Sequence, residues 1–135
     1  MARSVEALSA YRYERAAEEL ANAKDLFVEG KYKLALNRSY YSIFHAMRAV
    51  NALDEFDSSK HSGVIAYFNR TQVKTGHFPK ETSKLIGSAS SMREHADYED
   101  FYIASRQDAE EQLRHAEWFL AKVADYLLEQ GILNA

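Results

Sequence analysis

The sequence predicts an all-α protein, an up-and-down antiparallel bundle of four long helices plus a short one. Three observations carry this expectation. Segments throughout the chain repeat apolar residues at helical spacing. No stretch alternates apolar and polar residues as a half-buried strand would. One proline and five glycines leave few interruptions in 135 residues. Short connections between long helices make sequence neighbours antiparallel in space. The length fits one domain, residues 1–135, around one core.

The first helix is expected over Ser4 to Glu29, with a seam of Tyr13, Ala16, Leu20, Ala23 and Phe27. Gly30 suits the left-handed position that ends a helix. The second runs over Tyr32 to Leu53 and carries Leu36, Tyr40, Ile43, Met47 and Val50 on one line. A second line through Arg38 and His45 is flanked by Leu34, Tyr41 and Ala49. A helix apolar nearly all round belongs at the centre of the bundle. A shorter third helix spans Lys60 to Lys74, with Ser58 or Ser59 as its N-cap. The fourth spans Pro79 to Tyr98, with Pro79 in the first turn and a seam of Leu85, Ala89, Met92 and Ala96. The fifth spans Ser105 to Gln130, capped by Ser105 with Asp108 and ended by Gly131. Its seam is Ala109, Leu113, Ala116, Leu120, Val123 and Leu127.

Composition removes several function classes. A hydrophobic fraction of 47% is too high for a disordered tail. A net charge of −3 and a pI near 5.9 do not describe a generally basic nucleic-acid binder, so any such contact must be a local patch. The absence of cysteine excludes disulfides, thiolate chemistry and cysteine-ligated metals. The five histidines show no i, i+4 pairing and no histidine–glutamate protease motif, so no metal site is expected. There is no glycine-rich phosphate loop and no serine-nucleophile motif, and no cofactor is implied. The charged N-terminus and the lack of a long apolar run predict a cytoplasmic chain without membrane contact. The stretch from Ala16 to Ala46 looks like one tetratricopeptide repeat, which would suggest a protein-interaction domain. The pattern does not recur, and a lone repeat cannot bury its faces.

Several motifs occur in order: "ALNRSYYSIFHAMRAV", "KHSGVIAYFNRTQVKTGHFPKE", "SMREHADYED" and "SRQDAEEQLRHAEWFLAKV". Together they resemble the HEPN domain family, in its small prokaryotic branch, over roughly residues 17–125. The resemblance implies a small helical bundle, usually a homodimer. It also implies a choice of functions. Many such proteins are metal-independent ribonucleases, often toxins paired with a minimal nucleotidyltransferase as antitoxin. Others are modules that bind a nucleotide, RNA or a partner protein.

The ribonuclease signature is an arginine and a histidine separated by four to six residues. Arg38 and His45 fit it, and their seven-residue offset places both on one line of a helix. Histidine can exchange a proton with a ribose hydroxyl or leaving oxygen near neutral pH. Arginine can hold a phosphate and stabilise charge developing on it. Arg70 and His77 match the same spacing, in a loop. In the family the pair usually stands near the fourth helix. Here that place reads "MREHADY", where Arg93 is followed by Asp97 and Tyr98.

A structural reading stands beside the chemical one. A buried arginine needs a partner. Asp97 is the expected partner of Arg38, with Arg93 and Asp97 at i, i+4 completing a network. His45, Tyr40, Tyr41 and Tyr98 are then core or interface residues. His61 either lines the same cleft or simply opens the third helix. Arg70, Lys74, Lys80 and Lys84 face a single acid, Glu81, in sequence, and form the one locally basic stretch, a set of candidate phosphate contacts. Two classes of function remain: a binding module of a toxin–antitoxin pair, or an endoribonuclease using Arg38 and His45.

Overall fold

A computed structural model describes residues 4–133. These residues contain five α-helices and no strand: α1 (Val5–Val28), α2 (Tyr32–Asn51), α3 (His61–Phe68), α4 (Glu81–Tyr98) and α5 (Arg106–Glu129). A 3₁₀ turn, Ala52–Asp54, follows α2, and a π-turn, Asn69–Val73, prolongs α3. The all-α expectation holds. The helices gather around α2 rather than stacking as repeats, so the tetratricopeptide reading is set aside.

The helix ends follow local chemistry. The Ser4 hydroxyl accepts from the Ala7 N–H at 3.0 Å, and the Ser105 hydroxyl accepts from the Asp108 N–H at 3.0 Å, each satisfying a first-turn donor. Gly30 ends the first helix at φ 79°, a conformation that a Cβ would disfavour. Two expected starts differ. Lys60, not Ser58 or Ser59, occupies the N-cap position of α3, and the Ser58 hydroxyl accepts from the Lys60 N–H at 3.2 Å. Pro79 precedes α4 instead of lying in its first turn; its carbonyl accepts from the Thr82 N–H at 3.0 Å.

The line Leu36, Tyr40, Ile43, Met47 and Val50 of α2 is wholly buried, as is the full seam of α5. Sequence spacing missed Ile86 of α4 and Phe119 of α5, which join this core. Leu34, expected on the second buried line, is 52% exposed because it lies in the first turn of α2, at the end of the bundle. α1 lies close against α2 through small residues. Ser9 donates to the Ala49 carbonyl at 2.6 Å and Ser42 to the Ala16 carbonyl at 2.8 Å. α5 is pinned by Gln112, which donates to the Leu36 carbonyl at 2.7 Å. Buried hydroxyls and amides with such partners avoid the cost of unmet hydrogen bonds.

Both α3 and α4 rest on α2, with little contact between them except where the π-turn meets α4. They run antiparallel: His61 lies opposite Arg93, while Asn69 and Val73 lie opposite Ser83 and Lys84. The seam between them therefore has aromatic side chains of α2 as its floor.

Candidate functional site

Tyr40, Tyr41 and Phe44 of α2 form that floor. The His61 ring stacks on Phe44 with centroids 4.1 Å apart and meets Tyr41 edge-on at 5.8 Å. Its Nδ1 lies 2.8 Å from the Tyr40 hydroxyl and 3.4 Å from Nη1 of Arg93. A guanidinium can only donate, so Nδ1 is assigned as the acceptor, with the ring proton on Nε2. Burial, with Arg93 and Arg48 nearby, lowers the His61 pKa and favours this neutral form. Burial also pushes the Tyr40 hydroxyl up to about 12, so it remains a donor.

From His61 a chain of polar contacts links four helices, α3, α4, α2 and α1. Arg93 Nε meets Asp97 Oδ2 at 3.1 Å, and Asp97 Oδ1 accepts from Asn37 Nδ2 at 3.3 Å. Asn37 Oδ1 accepts from Arg38 Nε at 2.9 Å, and Arg38 Nη1 meets Glu19 Oε2 at 2.7 Å. The carboxylate facing Arg38 is thus Glu19 of α1, not Asp97, which lies one residue removed and is linked through Asn37. Arg38 and Arg93 both lie against the Tyr41 ring, at 4.9 and 5.6 Å from its centroid. A π-face suits a cation, so Tyr41 holds two guanidinium groups near one another.

His45 lies two turns beyond Arg38, half-buried, with no hydrogen-bond partner among the described residues. Burial first, then Arg15, Arg48 and Arg38 against the partial offset of Glu19, lowers its pKa to about 4. It is a neutral imidazole beside arginines. Arg48 and Arg12 are both engaged by Asp57, at 2.9 and 3.1 Å.

The remaining candidates separate. Tyr98 is 73% exposed and has no hydrogen bond to this chain of residues among those described. His77 bonds Gln72 at 3.1 Å at the turn before α4, so the second arginine–histidine match carries no shared site with Arg70. Arg70, Lys74, Lys80 and Lys84 come together, lining a groove of about 710 Å³ between the π-turn and α4, with Ala66, Asn69, Val73 and Ser83. No group of three metal-ligating side chains occurs among the described residues.

Sequence reasoning missed Glu19, Asn37 and the polar role of Tyr40. Glu19 had a signal: it sits on the buried face of α1 between Ala16 and Ala23, where an acid requires a partner. The meeting of His61 with Arg93 had none, since the two are far apart in sequence.

The fold and cleft define a small all-α bundle in which one central helix presents arginine, tyrosine and histidine to a groove beside it. A profile of the HEPN domain matches residues 9–126, and the chain belongs to that family. It is 32% identical over 121 residues to a chain of Methanocaldococcus jannaschii named "Putative toxin MJ0142", covering 90% of this chain and 82% of that one. It is 36% identical over 110 residues to a "UPF0332 protein" of Thermotoga maritima, covering 82% and 83%. The crystal structure of TT1696 from Thermus thermophilus superposes with a TM-score of 0.73 at 18% identity, covering 87% of this chain and 96% of the other, and shows the shared fold. No described helix is long and apolar enough to cross a membrane.

Proposed function

We propose that this protein is the toxin-type member of a pair with a nucleotidyltransferase, and that it acts as a homodimeric module whose cleft binds a nucleotide or RNA. The observation that carries this reading is the set of groups around Tyr41: two guanidinium groups on one ring, beside a neutral histidine. Arg93 Nη2 has no partner among the described residues and suits a phosphate oxygen, Arg38 adds fixed positive charge beside it, and aromatic faces suit bases. Relatives named as toxins support the toxin setting. A binding role is favoured over catalysis by Arg38 and His45 for two reasons. The Arg38 fork is already taken by Glu19 and Asn37. His45 is held neutral and has no partner to orient it.

The test is titration calorimetry with uridine and adenine nucleotides, together with co-purification of the adjacent nucleotidyltransferase. Wild type is expected to bind, and Arg93→Ala and Tyr41→Ala to lose most affinity. A protein that binds neither nucleotide nor nucleotidyltransferase would refute the reading.

The second reading is a metal-independent endoribonuclease with Arg38 as phosphate clamp and His45 as acid or base, favoured by their placement on one line of α2. RNA cleavage in the presence of a chelator that is abolished by His45→Ala, with unchanged melting temperature, would establish it.

A further inference from the structure

The groove between the π-turn and α4 differs from every other charged region described. Each described arginine except Arg70 has a carboxylate within salt-bridge distance, and Lys74, Lys80 and Lys84 have none either. Four cations therefore line one groove with no acid among its lining residues, in a chain of net charge −3. Such like charges repel one another, and an anion between them would relieve that repulsion.

The groove is also built. The Arg70 guanidinium lies 5.2 Å from the Tyr67 ring centroid. Tyr67 in turn stacks on Phe56 at 3.9 Å and donates to Asp54 at 3.0 Å. Arg70 is thus held on a fixed aromatic plate. Asn69 also contributes to the lining. The groove lies at one end of the α3–α4 seam and His61 with Arg93 at the other. Arg70 lies nine positions after His61, and Lys84 nine before Arg93, about 14 Å of helix in each case.

We infer that this groove holds the phosphodiester backbone of a single-stranded nucleic acid, with Arg70 and Lys74 on one wall and Lys80 and Lys84 on the other, and leads the strand along the seam to His61 and Arg93. A flexible polyanion fits an open-ended groove lined by cations. This rests on the nucleic-acid form of the reading above and adds a second, electrostatic contact to it.

The experiment is fluorescence anisotropy on the full chain with a short labelled oligouridylate over a salt series. Oligothymidylate is run in parallel to separate RNA from DNA; either strand held through the groove supports the inference. Wild-type affinity should fall with salt, with a log–log slope of about −0.7 per phosphate contacted. Lys74→Glu with Lys80→Glu, both on exposed side chains, should weaken binding at least about tenfold and flatten that slope. Lys33→Glu with Lys122→Glu makes the same charge change outside the groove and should cost far less. Equal losses in the two double variants would overturn the inference, as would full competition by polyglutamate, which would make the occupant an acidic protein. If the groove variant binds like wild type while Arg93→Ala does not, the groove assignment falls and the cleft reading stands. If wild type binds neither strand, the groove assignment falls, and nucleotide calorimetry judges the cleft alone.

Discussion

At the residue scale, Glu19 carries the most structural weight. It is 4% exposed and its Oε2 meets Arg38. Glu19→Ala strands the guanidinium against a buried wall, while the 37% exposure of the Arg38 side chain lets water recover part of the loss. Urea denaturation should show a loss of about 1–2 kcal/mol, with Glu19→Gln falling between the two. His45 makes a prediction about pH. Its pKa falls from 6.5 to about 4 on folding, so between those values the unfolded chain binds more protons. The stability His45 contributes is complete above pH 6.5 and is lost as pH falls toward 4. His61, also lowered, acts in the same direction. Melting temperatures followed from pH 7.5 to 4.5 should decline less steeply in His45→Gln than in wild type; parallel curves would mean that the imidazole titrates normally.

At the element scale, α3 depends on a close approach. A Cβ on Gly63 would lie 2.5 Å from the Ser58 hydroxyl and 3.0 Å from Ser58 Cβ. The glycine of "HSGV" is therefore a packing requirement that lets the loop before α3 fold back over it. Gly63→Ala should destabilise the protein by about 1–3 kcal/mol, the cost typical of overpacking, and Ser58→Gly in the same chain should restore most of it. The same element shows where sequence reading stops. The seams of α2 and α5 were legible because their spacing is set by the helix itself and each line is buried by several neighbours. His61 was legible only as one of two alternatives, lining the cleft or opening α3, because α3 is short and its direction is fixed by Tyr40, Phe44 and Arg93 on other helices. Arg38 was legible as an arginine needing a partner, but choosing Glu19 over Asp97 required knowing how α1 lies on α2.

At the scale of the whole molecule, apolar surface remains uncovered. Val28 is 85% exposed, Phe101 96% and Ile103 88%. Exposed apolar side chains of this size favour association between copies. Light scattering at micromolar concentration should give the mass of a dimer; a monomer would remove the homodimer from the proposed function. The basic groove, in contrast, was legible as a run of cations but not as a groove, since Arg70 and Lys74 reach Lys80 and Lys84 only after the chain reverses between the π-turn and α4. That reversal leaves a trace in the count of residues. A π-turn closes its hydrogen-bonded ring over one more residue than an α-turn, here from the Lys74 N–H to the Asn69 carbonyl at 2.9 Å. The segment thus carries a surplus residue. Wound as ordinary α-helix with every residue kept, the segment would carry everything beyond it roughly a quarter turn further round. Lys74 would swing off the groove wall and Phe78 would leave its seat against Phe68 and Phe119. The extra residue therefore works as a phase adjustment, setting the helix out of step so that a charged wall and a core anchor can both face where they are needed.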